Sequence, residues 1–490
     1  MTKKEKQTVV LFNPMPVKHQ VAIVNKKTTS LQVPLVNVPL SLLAIARMVR
    51  DDFDVRIINA VVDTNYEELI LDACKDAVCF AVSSMTCYQI RDGMNVSAVV
   101  KERYPDMPVI WGGYHPSTQV EQTLQDPNID IVVIGQGELT FKEVVGRLVK
   151  GQSLDGVAGV AYKDMGVGMD TNKDGGAGHI ITNPPRGFTD INEFPPIPYD
   201  MVDVEAHVKG YKFGERCLDY YISQGCAAGC SFCSEPIFCG RKWTGLEPET
   251  VVSELEHLAK TYNIDTFMIR DSDFFINVSK VKELCNLLIA KNLGIRMTSV
   301  NGRMEQLYRM DDEVWALARK AGVREVFIGV ESGYQDALDA MNKGAKVFQS
   351  KICVEQCIKH DIDARASFMV GIPGLDTGEE IRHTFEAIHH MISVYGEQDY
   401  LEHMDILFSF FTPYPHTPLY QKAVECGLTP LETLGDWGDF DQVDFKAPWV
   451  SQEYYDLVIK FRDGMPWNSG CDFAQWCEFY SGIMDELDRV

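Results

Sequence analysis

Short apolar runs alternate with amphipathic stretches of helical length along most of the chain. In the first third the runs fall at residues 9–12, 55–58, 78–82, 109–111 and 131–134, and each is followed directly by Asn, Ser or Gly. Runs this short that end on turn-forming residues predict buried strands. Stretches such as 40–49 and 93–103 supply helices between them. Buried strands alternating with helices imply a parallel sheet covered on both faces. Five such units between residues 8 and 150 predict an α/β, flavodoxin-like, doubly wound domain.

Residues 151–215 break the pattern. A Gly- and Asp-rich stretch at 166–178 and the sequence FPPIPY at 194–199 predict a connector with a small hairpin. The Gly/Asp stretch lacks the ordered carboxylates ending in Glu of a calcium loop, so a plain turn is expected. A second βα series follows, with strands expected at 220–223, 266–269, 295–300, 325–330, 366–370 and 404–411. Val251, Val252, Leu255, Leu258 and Ala259 form one helical face, with Pro248 in its first turn. Val314, Leu317, Ala318 and Ala321 form another, closed by Gly322. Six βα units predict a partial (β/α)6 barrel over 216–420, with its chemistry at the C-terminal strand ends. Residues 421–490, acidic and carrying Trp437, Trp449, Trp467 and Trp476, predict a mainly helical cap or substrate region.

Composition narrows the classes. Hydrophobic content of 46% and charged content of 24% suit a globular protein, and no apolar run is long enough to span a bilayer. The Lys-rich start is followed by a strand pattern in place of a signal-peptide core, so a cytoplasmic protein without a membrane partner is expected. Seventy acidic against 46 basic residues give a net charge of −24, which disfavours nucleic acid as a partner. Fourteen cysteines are too sparse for a disulfide scaffold and raise the question of metal or redox chemistry. Among them Cys217, Cys239, Cys471 and Cys477 have no CxxC spacing and are expected as free thiols.

The chemistry concentrates in YYISQGCAAGCSFC, residues 220–233. Cys226, Cys230 and Cys233 stand at i, i+4 and i+7 on a loop after the first barrel strand. Three thiolates on a cubane of four irons leave one iron open to a small molecule. A zinc site would ordinarily pair two short Cys/His clusters, and no second CxxC occurs. The spacing, with Phe232 before the last cysteine, resembles the radical S-adenosylmethionine superfamily. That resemblance implies a [4Fe-4S] cluster on Cys226, Cys230 and Cys233 that cleaves S-adenosylmethionine to a 5′-deoxyadenosyl radical. It also implies a ferredoxin or flavodoxin as reductant. Candidate S-adenosylmethionine contacts follow the later strands: Asp271 and Asp273 beside Arg270 and Ser272, Asn301 with Arg303, Glu331 and Ser332 in ESGYQDALDAMNKG, and Gly371 in GIPG. The carboxylates suit the methionine ammonium, and Gly371 lets backbone approach adenine closely.

The strand ends of the first domain read NPMP, SSMT, GGYHPS and GQGELT. In an open α/β sheet a ligand binds outside these ends, and on residue chemistry alone a nucleotide or flavin fits as well. Their order upstream of a three-cysteine barrel resembles the cobalamin-dependent radical enzymes. The resemblance implies cobalamin contacts at Pro14, Ser83, Ser84, Met85, Thr86, Gly112, Gly113, His115, Gly135, Gly137, Glu138 and Thr140. The Asp-x-His-x-x-Gly motif that would bring a histidine to cobalt is absent, which leaves Met85 as a candidate for the lower face and His115 as a loop residue. The family likeness implies methyl transfer from methylcobalamin to an unactivated carbon. A peptide or protein substrate is a candidate, specifically the glutamine Cα of methyl-coenzyme M reductase. A cobalamin-dependent cyclase and a non-catalytic cobalamin/iron–sulfur binding protein are the alternatives. RNA methylthiolation is disfavoured by the acidic chain.

Overall fold

The computed structural model describes residues 6–17, 36–164, 179–395, 400–440 and 445–490. The Gly/Asp stretch at 166–178 lies outside the described residues. The chain divides into two compact units. One comprises Met1–Val208, Ile237–Gly240 and Pro430–Asp441; the other comprises Lys209–Pro236, Arg241–Thr429 and Gln442–Val490.

The first unit is built on a seven-stranded sheet of β1 (Thr8–Asn13), β2 (Asp54–Asn59), β3 (Ala77–Ser83), β4 (Val109–Gly112), β5 (Ile131–Val133), β6 (Val160–Asp164) and β7 (His179–Thr182). The order is β2-β1-β3-β4-β5-β6-β7. The first five strands are parallel. Val9, Val10, Leu11 and Phe12 are all fully buried, as a strand covered on both faces requires. On one face Val9 and Leu11 pack with Leu42 and Ala46 of the helix Leu40–Ala46 and with Phe141, Val144 and Val145 of the helix Glu138–Val149. The doubly wound order is the predicted one. The hairpin of β6 and β7, expected in a connector, adds two antiparallel strands to the sheet edge.

The second unit carries two four-stranded sheets and one short ladder. β8 (Lys209–Tyr211), β9 (Gly214–Tyr220), β12 (Thr266–Ile269) and β13 (Arg296–Thr298) pair in the order β13-β12-β9-β8. β14 (Val300–Arg303), β15 (Glu325–Glu331), β16 (Asp363–Val370) and β17 (Met404–Phe410) form a parallel sheet in sequence order. β10 (Ser223–Gly225) pairs antiparallel with β11 (Trp243–Gly245). Three readings need correction. The first barrel strand ends at Tyr220, and Ser223 belongs to the separate ladder. The strand expected at 295–300 is two strands broken at Ser299, whose φ is +54°. There the Glu325 carboxylate accepts the Ser299 amide and the Thr298 hydroxyl, both at 3.1 Å, taking donors away from a continuous strand. An isolated bridge pairs Met297 with Val323 beside the break. Asn301 and Arg303 therefore lie within β14, and, independently of that break, Glu331 is the last residue of β15.

The helices follow the predicted faces in the main, but Ala259 and Leu317 are only half-buried and Trp315, outside the predicted face, is buried. Pro248–Tyr262 buries Val251, Val252, Leu255 and Leu258. Asp312–Ala321 buries Val314, Trp315, Ala318 and Ala321, and stops at Gly322 with φ +113°. A Cβ on Gly322 would stand 2.5 Å from the Ile295 carbonyl oxygen, so glycine is required. The C-terminal region is helical, as expected. Its helices Gln452–Asp463 and Phe473–Leu487 bury Phe461 and Trp476, and the Phe461 ring stacks on Phe385 at 3.6 Å.

Candidate functional site

In the first unit the strand order reverses between β1 and β3, the place where open α/β sheets bind ligands. Gln89, in the first turn of the helix Gln89–Arg103, ties the two sides together. Its Oε1 accepts the Met85 amide at 3.0 Å, and its Nε2 donates to Asn13 Oδ1 and the Pro14 carbonyl at 3.3 Å each. Met85, between buried Ser84 and Thr86, is 54% exposed, so an apolar side chain projects from a rigid polar frame. Ser83 Oγ lies 3.0 Å from Ser41 Oγ. Gly113 has φ +100°, and a Cβ there would meet the Ser84 carbonyl oxygen at 2.6 Å. Ser117 Oγ donates to the Gly113 carbonyl and accepts the Gly135 amide, which joins the loops after β4 and β5. Gly112, Gly113, Gly135, Gly137 and Ser83 are half-buried at these strand ends, and Met85 is exposed.

Other predicted contacts of this unit are engaged elsewhere. Glu138 is 3% exposed, and its carboxylate accepts from Arg47 at 2.9 Å. Thr140 is fully buried, bonded to the Ala158 carbonyl and to Arg186. His115 is fully buried, with Nδ1 at 3.0 Å from the Thr86 hydroxyl and its ring 5.5 Å from Trp437. Its Nε2 has no hydrogen-bond partner, and burial pushes its pKa down to about 3, so the ring is neutral. The Trp437 contact was not legible in sequence, because the two residues are brought together only by the tail returning to this unit.

In the second unit β10 and β11 close the segment that carries the three cysteines. Its backbone is anchored by Ser231 N to Met341 O at 2.8 Å, Asn342 Nδ2 to Gly229 O at 2.8 Å and Leu419 N to Ser231 O at 3.0 Å. Cys226 and Cys230 are buried, and Cys233 is half-buried. Burial pushes the Cys226 thiol up to about 11 and the Cys233 thiol up to about 12. Thiolates here therefore need compensating positive charge. Among the described residues no three His, Cys, Asp or Glu side chains come close enough to hold one metal ion. A cubane takes each thiolate on a different iron, so three cysteines at this sequence spacing can share one cluster.

Positive charge stands beside Cys230. Arg303 Nη1 donates to its sulfur at 2.8 Å, Nη2 donates to the Lys343 carbonyl at 2.6 Å, and Nε pairs with Glu305. Lys343, 4% exposed, pairs with Glu331 at 2.7 Å and lies 5.9 Å from the Phe232 ring centre. Against burial, Glu331 and Cys230 hold the Lys343 ammonium above its ordinary pKa. Glu331 has φ +69°, and its second oxygen accepts from Ser367 at 2.9 Å. The sequence does not reveal Lys343 or Glu305; Lys343 lies inside ESGYQDALDAMNKG, but nothing local marks it as buried.

Asp271 and Asp273 are both buried, and burial raises both to about 6. Asp271 accepts from the Ile222 amide at 2.7 Å and the Ser223 hydroxyl at 2.6 Å, and its carbonyl accepts from Asn301. Asp273 differs, because its Oδ2 is buried without a partner in full hydrogen-bond geometry, with the Gln306 side chain and the Arg303 charge pulling against the burial. A carboxylate oxygen left open next to Cys226, whose thiol it pushes upward, fits a cationic group such as an amino-acid ammonium. Ser332 is fully buried against Thr384 Oγ1 at 3.2 Å and caps the Tyr334 amide. Gly371 opens a loop whose amides at Gly371 and Ile372 are held by Glu380.

A partial barrel with a three-cysteine loop and a doubly wound domain with glycines at its switch point define a two-domain radical enzyme. The sequence family described as the Radical SAM superfamily matches residues 220–388, and the B12 binding domain family matches residues 27–145. The chain has the two-domain make-up of the cobalamin-dependent radical S-adenosylmethionine enzymes. Its cofactors are a [4Fe-4S] cluster, S-adenosylmethionine and cobalamin. An uncharacterized methyltransferase of Pyrococcus horikoshii is 28% identical over 83% of this chain and 82% of its own length. An anaerobic magnesium-protoporphyrin IX monomethyl ester cyclase of Rubrivivax gelatinosus is 27% identical over 73% of this chain and 59% of its own length. The fold matches the solved structure of the cobalamin-dependent S-adenosylmethionine radical enzyme OxsB with a TM-score of 0.72 at 16% identity, over 99% of this chain and 71% of that one. Among the described residues no helix is long and apolar enough to cross a membrane.

Proposed function

We propose that this enzyme transfers a methyl group to an unactivated carbon, with a protein side-chain or backbone carbon as the substrate class. The glutamine Cα of methyl-coenzyme M reductase is the specific candidate. The observation that carries the reading is the pairing of a cation-compensated three-thiol loop with an open carboxylate oxygen at Asp273. When bound, the cofactors supply a 5′-deoxyadenosyl radical for hydrogen removal and a cobalt-carried methyl group. Cys226, Cys230 and Cys233 would hold the cluster, and Asp273 would accept the methionine ammonium. Asp271 and Asn301 orient that strand end through their mutual hydrogen bond. In the first unit Ser83, Met85 and the glycines at 112, 113, 135 and 137 would meet cobalamin, with Met85 on the cobalt side in place of a histidine. The burial of His115 supports that assignment. Fourteen cysteines, none of them in a disulfide, fit a reducing cytoplasmic compartment. A ferredoxin or flavodoxin is the proposed electron donor.

The similarity to the cyclase favours a second reading, in which the radical closes a ring without methyl transfer. Anaerobic protein reconstituted with iron, sulfide and cobalamin and given S-adenosylmethionine, reductant and a glutamine-containing peptide distinguishes them. Mass spectrometry should find 5′-deoxyadenosine, S-adenosylhomocysteine and a methylated peptide, all lost in Cys230→Ala. 5′-Deoxyadenosine without S-adenosylhomocysteine would move the assignment to the cyclase. Neither product from cluster-loaded protein would reject catalysis of either kind.

A further inference from the structure

The three cysteines meet unequal surroundings. Cys226 and Cys233 accept hydrogen bonds from the backbone amides of Ala228 and Glu235, which are neutral dipoles. The Cys230 sulfur accepts instead from a full cation, Nη1 of Arg303 at 2.8 Å. That guanidinium is fixed on its other edges by Glu305 and by the Lys343 carbonyl. Arg303 and Glu305 side chains are only 14% and 12% exposed, so water screens the group little. Glu305 keeps one oxygen, Oε2, buried without a partner, so its charge stays concentrated on Arg303.

We propose that Arg303 tunes the cluster, its guanidinium on Cys230 favouring the reduced state and its partner Glu305 setting how far. The proposal rests on the reading of the three cysteines as cluster ligands. Reduction adds one electron, taken from an external one-electron donor, and no bond is made or broken. The added negative charge is shared by the ligand sulfurs, so a hydrogen bond from a buried cation strengthens on reduction. Arg303 stays protonated throughout, because a guanidinium does not titrate in this range. Glu305 cancels part of the cation's field, so its removal acts in the opposite direction.

The test is an EPR-monitored redox titration of reconstituted holoenzyme without S-adenosylmethionine, at matched iron and sulfide content. In Arg303→Gln the reduced-to-oxidised ratio at a fixed poise should fall about tenfold, a midpoint about 59 mV more negative for a one-electron couple. Arg303→Lys, which keeps the charge and loses the planar fork, should fall between Gln and the wild type. Glu305→Gln should move the midpoint the other way, to a more positive potential. An unchanged midpoint in Arg303→Gln would overturn the proposal. So would shifts of the same sign in Arg303→Gln and Glu305→Gln, which mark general disturbance of the loop. A shift that is absent here and seen only in a parallel titration with S-adenosylmethionine would also overturn it and make Arg303 a group that binds S-adenosylmethionine. Should Arg303→Gln fail to hold iron, the sign of the Glu305→Gln shift decides by the same criterion. A wild-type protein without any [4Fe-4S] signal would remove the cluster reading beneath the proposal, a result distinct from all of these.

Discussion

Two neighbouring carboxylates, Asp271 and Asp273, show how chemistry separates at the scale of one residue. Both are buried, and burial raises both to about 6. Asp271 has its hydrogen bonds made by Ile222 and Ser223 and behaves as a structural group. Asp273 keeps an oxygen buried and unpartnered, an arrangement that costs stability until a donor arrives. Asp273→Asn should therefore stabilise the cofactor-free protein by roughly 1 kcal/mol while weakening S-adenosylmethionine binding about tenfold. The sign with pH follows from the raised value. A carboxyl whose folded pKa exceeds its ordinary 3.8 contributes stability at low pH that is lost as pH rises through about 6. Cofactor-free wild type should lose stability between about pH 4 and 6, and Asp273→Asn should lose less over that window. Chemical denaturation across pH and calorimetric titration of S-adenosylmethionine read the two halves. Equal affinity in the variant would show that Asp273 does not meet the ammonium.

At the scale of elements, the ends of strands are set by carboxylates reaching backbone amides. Glu325 breaks the third barrel strand at Ser299, and Glu380, from the helix Thr377–Tyr395, reaches back to the GIPG loop after β16. Neither was legible in sequence. Hydrophobic runs revealed the strands at 325–330 and 366–370, because burial of consecutive apolar residues is a local pattern. A Glu that acts on an amide 26 residues away leaves no such pattern. Glu380 is fully buried and accepts from the Gly371 amide at 2.9 Å and from Ile372 at 3.1 Å. Burial raises its pKa from 4.5 to about 8, against the pull of those two amides. Its stabilising contribution is complete below about pH 4.5 and is lost as pH rises through about 8. Glu380→Gln should flatten that loss and keep the loop, since an amide oxygen still accepts from one backbone N–H. Denaturant midpoints of both proteins between pH 5 and 9 check this. Parallel pH profiles would show that Glu380 is already ionised in the fold.

For the whole molecule, the order of the two α/β parts and the three-cysteine loop were readable because strand–helix alternation and Cys-x-x-x-Cys-x-x-Cys are both properties of short windows. The roles expected for Glu138 and Thr140 were not so secure, because burial against Arg47 and Arg186 depends on chain segments far away. The tail shows the same limit most clearly. Trp437 bonds Gln122, 315 positions away, through Nε1 at 3.0 Å, and its ring packs 5.5 Å from His115. Arg91 adds bonds to the Gly435 carbonyl and to Asp439, each at 2.6 Å. Residues 430–441 thus complete the first unit, while the helices that follow belong to the second. Trp437 is 1% exposed, so Trp437→Ala should cost the first unit about 3–5 kcal/mol. It should also free the His115 ring and loosen the Thr86 loop that carries Met85. The expected result is loss of bound cobalamin per chain with iron per chain unchanged, because the three cysteines lie in the other unit. Gln122→Ala, which removes one hydrogen bond and little volume, should cost only about 1 kcal/mol and retain cobalamin. Iron lost in step with cobalamin would mean that the two units unfold as one, and that the tail supports the cluster as much as the sheet it packs against.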